Sequence, residues 1–172
     1  MSAPAVFFDR DGTLMEEAHY CGDPAQVRVF AGVSEGLRRL RDAGFRTFVV
    51  SNQSGIGRGL ISEAQYRAVQ AELLAQIGEG LIDASYFCPD APGTPSTRRK
   101  PEPGMLLEAA ADFDVDLGRS YMIGDKAADV ECGKRVGAKT ILVLTGYGAE
   151  QDCAADYRVR DVAEAIRTIL DR

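Results

Sequence analysis

Short, almost unbroken apolar runs recur along the chain, at residues 6–8, 45–50, 82–88, 120–123 and 139–144. Each leads into a polar turn or loop and then into a stretch of helical period. Strands buried on both faces are apolar throughout, whereas half-exposed strands alternate, so these runs predict a parallel sheet with helices packed on both sides. The helical stretches agree. Between 32 and 43 the apolar residues Val33, Leu37 and Leu40 recur at i, i+4 and i+7, with Arg38, Arg39 and Arg41 opposite and Gly44 as a stop. Ser62 caps a second helix, with Glu63 in its first turn and Tyr66, Val69, Leu73 and Ile77 on one face. Further helices are expected over 106–113, 127–136 and 162–170, and a short strand over 157–159. The alternation specifies an α/β fold, a doubly wound, Rossmann-like parallel sheet.

Composition narrows the function classes. A chain of 172 residues with 45% hydrophobic and 27% charged residues is that of an ordinary globule, most simply one domain over 1–172. A net charge of −6 with no basic stretch gives no footprint for nucleic acid or for an anionic membrane surface. No apolar run reaches the ~20 residues of a membrane-spanning helix, and the first residues lack the basic start and cleavage site of a secretory signal. A cytoplasmic monomer is the expectation. Cys21, Cys88, Cys132 and Cys153 are scattered and His19 is the only histidine, so free thiols are expected rather than a thiolate metal site.

In an open parallel sheet, ligands bind beyond the carboxyl ends of the strands. The polar residues that follow the apolar runs therefore converge: Asp9 and Asp11 after the first, Ser51 and Asn52 after the second, Lys100 beyond the third, Asp125 after the fourth. Singly, each has a commonplace explanation as a turn former, a cap or a solvated lysine. Together at one edge they form a site. Asp9, Asp11 and Asp125 are an all-oxygen set suited to Mg²⁺, which takes one or two carboxylates together with water and substrate phosphate. Lys100 and the Ser51 hydroxyl would orient phosphoryl oxygens. No Ser/His/Asp set is available, whereas a carboxylate can form an aspartyl-phosphate; Asp9, nearest the strand, would attack, and Asp11, two residues on in the loop, would act as acid and then base.

DRDGT at Asp9 to Thr13, Ser51, Lys100 within RRKPEPGM, and GDKAAD at Gly124 to Asp129 resemble, in order, the four motifs of the haloacid dehalogenase (HAD) superfamily of phosphatases. YCGDP, SNQSGIGRG, Cys88-Pro89 and RKPEPGM are similar to the D-glycero-D-manno-heptose 1,7-bisphosphate phosphatases and the related histidinol-phosphate phosphatases. The resemblance implies that Asp9 is the nucleophile, that Asp11 is the proton donor, and that Ser51 and Lys100 stabilise the phosphoryl group. It implies Mg²⁺ held by Asp9, the backbone carbonyl of Asp11, and Asp125. Glu17, His19, Tyr20, Ser51, Asn52, Gln53, Ser54, Arg99, Lys100 and Lys126 would meet the substrate. Removal of the 7-phosphate from a heptose 1,7-bisphosphate is the implied reaction, with histidinol phosphate or another sugar or nucleotide monophosphate as the alternative. Relatives usually carry a zinc loop before the RKP; here CPDAPGTPSTRRKP keeps only Cys88 of its four ligands, so a shorter, metal-free loop held by Pro89, Pro92 and Pro95 is expected.

Intervals of roughly 40, 50 and 25 residues between motifs are used up by the sheet's own helices, strands and loops. No cap domain of ~50 residues fits between them. Residues 14–30 and 89–103 are left to close the site over a small substrate gripped by Arg99 or Lys126. A phospho-accepting receiver module shares this chemistry, but it would need its acceptor aspartate on the third strand and its lysine on the fifth, and neither is in place.

Overall fold

A computed structural model describes residues 1–172. Six parallel strands, β1 Ala5–Phe8, β2 Arg46–Asn52, β3 Ala84–Cys88, β4 Tyr121–Gly124, β5 Lys139–Val143 and β6 Tyr157–Val159, form one sheet in the order β3-β2-β1-β4-β5-β6. β1 is central, with Phe8 opposite Val49 of β2 and Ile123 of β4. The order reverses at β1, which makes its carboxyl end the crevice where the topology predicts a ligand.

Alternate side chains along each strand face opposite sides, so the sheet builds two cores. Val6, Phe8, Val49, Ile123, Ile141 and Val143 pack beneath helices α1 (Val33–Asp42), α3 (Glu63–Ile77) and α6 (Val162–Leu170). Ala5, Phe7, Phe48, Val50 and Met122 pack beneath α4 (Gly104–Phe113) and α5 (Ala127–Arg135). In α1 the expected stripe Val33, Leu37 and Leu40 is wholly buried. Ser62 Oγ accepts from the Gln65 amide at 3.1 Å while Gln65 Oε1 accepts from the Ser62 amide at 2.8 Å, a reciprocal cap that fixes the start of α3. No helix is long and apolar enough to cross a membrane, and no further domain interrupts the connections between strands.

Three details differ from the sequence expectation. β2 runs on through Ser51 and Asn52, because their backbones pair with Phe87 and Cys88 of β3. The glycine-rich stretch after it contains a single helical turn, α2 (Ser54–Gly57), docked on the end of β3 through the Gly57 amide, which donates to Pro89 O at 2.9 Å. A side chain there would collide with that backbone, its Cβ lying 2.5 Å from Pro89 O. Finally, of the three prolines expected to hold the 89–103 loop, Pro92 and Pro95 are exposed and only Pro89, half-buried with its carbonyl on the Gly57 amide, is anchored. Ser96 Oγ is its hub, accepting from the Arg98 and Arg99 amides at 3.2 and 3.1 Å and lying 3.6 Å from the Cys88 thiol, which in turn donates to Asp90 at 3.3 Å. All four cysteines are free.

Candidate active site

The carboxyl ends of β1, β2 and β4 open into a cavity of about 250 Å³. Asp9 follows β1 directly and is held by its amide, which donates to Ile123 O of β4 at 2.9 Å. Asp125 follows β4, and Asp129 projects from the first turn of α5. One oxygen from each of these three buried carboxylates lies within 4.8 Å of the other two. Lys100 reaches the same point from the loop beyond β3. The residue is 4% exposed, and its ammonium donates to Asp9 Oδ1 at 2.9 Å, Asp129 Oδ1 at 2.6 Å and Val50 O at 2.8 Å. Asn52 fixes that lysine's backbone, giving its amide to Lys100 O and accepting from Lys100 N, both at 3.0 Å.

Burial alone would push the Asp9 carboxyl up, but the Lys100 ammonium beside it outweighs burial and holds Asp9 below the usual carboxylate range. Asp129 is pushed up to about 6 by burial and by Asp9, despite its bond to Lys100. Asp125 makes no ion pair, and burial together with the Asp9 and Asp129 charges pushes it up to about 9. Its Oδ2 accepts from the Tyr147 amide at 2.9 Å, whereas its Oδ1 is buried without a partner. Were all three carboxylates ionised, one ammonium would leave two negative charges, and burial with this repulsion is why Asp125 and Asp129 are pushed up; the oxygens are all hard donors. A divalent, oxygen-seeking cation such as Mg²⁺ fits both the charge and the orphaned oxygen. Glycines make the room: a Cβ on Gly12, at φ 81°, would fall on Asp125 Oδ2, and one on Gly124 would fall on the Asp129 carboxylate.

Asp11 sits apart from the carboxylate cluster. Its side chain is clamped by the fully buried Arg10, whose Nε and Nη2 donate to Oδ2 and Oδ1 at 3.1 and 3.2 Å, and by Gln53, whose Nε2 donates to Oδ2 at 2.9 Å. Gln53 also donates to Ser51 Oγ at 2.5 Å and accepts from Arg10 at 3.2 Å. Ser51 and the acid are thus joined in one network.

Above this floor the cavity is walled by Glu17, His19 and Tyr20 from the 14–30 loop, by Gln53 and Ser54, and by Arg99 and Lys126. Burial and then Asp11 raise the Glu17 carboxyl. The Arg99 guanidinium donates only to Asp90 O at 3.1 Å, the Lys126 ammonium lies 5.0 Å from the Tyr147 ring centroid, and neither side chain makes an ion pair.

A family model described as HAD-hydrolase-like matches residues 97–169. The D-glycero-D-manno-heptose-1,7-bisphosphate 7-phosphatase of Thermosynechococcus vestitus is 39% identical over 98% of this chain and 96% of its own. The D-glycero-beta-D-manno-heptose-1,7-bisphosphate 7-phosphatase of Escherichia coli K12 is 35% identical over 98% and 94%. The chain belongs to the HAD superfamily, in the family of these phosphatases. Among solved structures, the D,D-heptose 1,7-bisphosphate phosphatase of B. bronchiseptica, complexed with magnesium and phosphate, superposes with a TM-score of 0.87 at 30% identity over 98% of both chains. The enzyme from Burkholderia thailandensis gives 0.73 at 26% identity, over 98% of this chain and 99% of that one.

Of the residues read from the sequence, Asp9, Lys100 and Asp125 meet at the floor, whereas Ser51, 1% exposed and not lining the cavity, is linked to Asp11 through Gln53. Glu17, His19, Tyr20, Gln53, Ser54, Arg99 and Lys126 wall the cavity, and Asn52 lines it while holding the Lys100 backbone. Three residues of the site were not anticipated. Asp129 lies within GDKAAD, where its i+4 spacing from Asp125 across a strand-to-helix turn was a usable signal. Arg10 and Tyr147 carry no local pattern that marks either.

Proposed function

We propose that this chain is a Mg²⁺-dependent phosphatase that removes the 7-phosphate of D-glycero-D-manno-heptose 1,7-bisphosphate through an aspartyl-phosphate on Asp9. The observation that carries this reading is the division of cations in the cavity. Lys100 is committed to the floor, while Arg99 and Lys126 stand at the rim without acid partners. A substrate with two phosphates satisfies both levels.

Held by Asp9, Asp125 and the backbone carbonyl of Asp11, Mg²⁺ would offset the carboxylate charge and that of the incoming phosphoryl oxygens. Asp9, kept ionised by Lys100, attacks phosphorus as its P–O bond to the sugar breaks. Lys100 and Ser51 steady the transferring oxygens. The sugar oxygen takes the Asp11 proton as it leaves; Asp11 then takes a proton from the water that attacks the phosphorus of the aspartyl-phosphate, returning Asp9 and releasing inorganic phosphate. Arg99 and Lys126 hold the far phosphate, and Glu17, His19, Tyr20, Asn52, Gln53 and Ser54 surround the sugar. The relatives' names support the substrate, since they span nearly the whole chain.

Phosphorus NMR of the protein with Mg²⁺ and each heptose 1,7-bisphosphate anomer tests this, with histidinol phosphate and nucleotide monophosphates alongside. The expected result is loss of the 7-phosphate resonance with the 1-phosphate intact, abolished by chelation and restored by Mg²⁺ alone. Faster turnover of histidinol phosphate, or release of the 1-phosphate first, overturns the assignment.

A further inference from the structure

Residues Glu17 to Cys21 form a strap whose backbone is held in a costly conformation, and it lines the cavity through Glu17, His19, Tyr20 and Cys21. His19 and Tyr20, at φ 47° and 56°, are consecutive non-glycine residues in the left-handed region; the one other such residue, Asp114, merely ends a helix. Contacts on both sides hold the strap down. On one side the Tyr20 ring packs over α2, so closely that a Cβ on Gly55 would lie 2.8 Å from its Cδ1, with the Arg58 guanidinium 5.9 Å from the ring centre. On the other, the Tyr147 hydroxyl and His19 Nδ1 share a hydrogen bond of 3.1 Å, the two rings meeting edge to face at 6.3 Å. Glu17 accepts from the His19 amide at 2.9 Å and braces the turn between.

Tyr147 is more than a post for this latch. Its amide donates to Asp125 Oδ2, and its ring lies under the Lys126 ammonium at 5.0 Å, a cation–π distance. One residue therefore joins the carboxylate floor, a rim cation and the strap. We infer that Tyr147 is a specificity-determining residue: through its hydroxyl it latches the strap, and through its ring it presents Lys126, so that the part of a phosphorylated sugar remote from the reacting phosphate is enclosed. The inference rests on the bisphosphate reading above. A substrate without that remote part gains nothing from the latch.

Two variants and two substrates test this. Tyr147→Phe keeps the ring and loses the hydroxyl, and His19→Ala removes its partner. Each is expected to lower kcat/KM for the heptose bisphosphate by on the order of 10-fold, mostly through KM, while hydrolysis of a small aryl phosphate falls by less than about threefold. The double variant is expected to be no worse than the poorer single one, because both changes delete the same bond. Independently of any substrate, amide hydrogen exchange over residues 17–21 is expected to quicken in Tyr147→Phe. Equal losses on both substrates, or losses that multiply in the double variant, overturn the role of the latch in specificity. Unchanged exchange over the strap overturns the latch itself, even if the parent protein proves indifferent to bisphosphates.

Discussion

Replacing Arg10 by Met tests how the general acid is positioned. The guanidinium is completely buried, gives two hydrogen bonds to Asp11 and one to Gln53 Oε1, and lies 5.4 Å from the Tyr66 ring centre. Methionine fills similar space without polar atoms. Asp11 then keeps only Gln53 Nε2 among these bonds, and Gln53 Oε1 loses its partner in the interior. A stripped buried acceptor costs ~1–3 kcal/mol and lost charge-assisted bonds ~1.5–3 kcal/mol. Because the Asp11 side chain is 19% exposed, water recovers part of this, which gives a destabilisation of about 3 kcal/mol. For a chain of this length that corresponds to a fall in Tm of roughly 6–12 °C. Arg10 does not line the cavity, so KM should change little. Misplaced Asp11 should slow kcat most where the leaving group needs its proton: about 100-fold on a sugar phosphate and about 10-fold or less on an activated aryl phosphate. The assay is kcat across phosphate esters of graded leaving-group basicity, and Arg10→Met should steepen that dependence. An unchanged slope with normal stability would show that Asp11 needs no clamp, and a rise in KM alone would place Arg10 in substrate binding.

Other predictions concern the rim, its loop and the fold. Arg99→Ala should lower kcat/KM for the bisphosphate by on the order of 10- to 100-fold and hardly touch an aryl phosphate, the ~1.4–3 kcal/mol of a charge-assisted contact; a uniform loss would put Arg99 on the reacting phosphoryl group. Ser96→Ala removes the acceptor of the Arg98 and Arg99 amides and should raise KM for the same substrate, with urea unfolding showing a loss of about 1 kcal/mol. Burial would raise the Asp83 carboxyl, but the Thr47 amide together with Arg46 and Arg41 holds it below its ordinary value. Its contribution to stability is therefore present above the unfolded carboxylate pKa near 4 and is lost as pH falls through the lower folded value. Asp83→Asn should lower Tm by several degrees at pH 7, and the gap to the parent should close below pH 4; a gap independent of pH would mean that the carboxylate's charge is irrelevant.

What could be read in advance was what local pattern encodes. Helix α1 announces itself through Val33, Leu37 and Leu40, and the strands through unbroken apolar runs, because burial on both faces leaves no other composition. The floor of the site was legible because a parallel sheet gathers its strand ends, bringing Asp9, Ser51 and Asp125 together irrespective of their separation. Arg10 was not, since the Gln53 and Tyr66 contacts that help to enclose it come from residues far along the chain, Gln53 being 43 positions away. Tyr147 depends on residues 22 and 128 positions distant. The 89–103 loop misled for a related reason: its prolines are conspicuous, but the bonds that shape it converge on Ser96, whose sequence neighbourhood is unremarkable. Helix α2 has no apolar period at all and exists because Gly57 can press against Pro89.

Covalent catalysis by Asp9 is measured most directly by quenching the protein in acid during steady-state turnover of the bisphosphate with Mg²⁺, then weighing the intact chain and its peptides. The parent protein should carry one additional phosphoryl group on the peptide containing Asp9, disappearing when substrate is exhausted. Asp9→Asn should carry none and turn over no substrate, while still binding inorganic phosphate. An Asp9→Asn protein as active as its parent, or a phosphoryl group found on any other side chain, would contradict the mechanism.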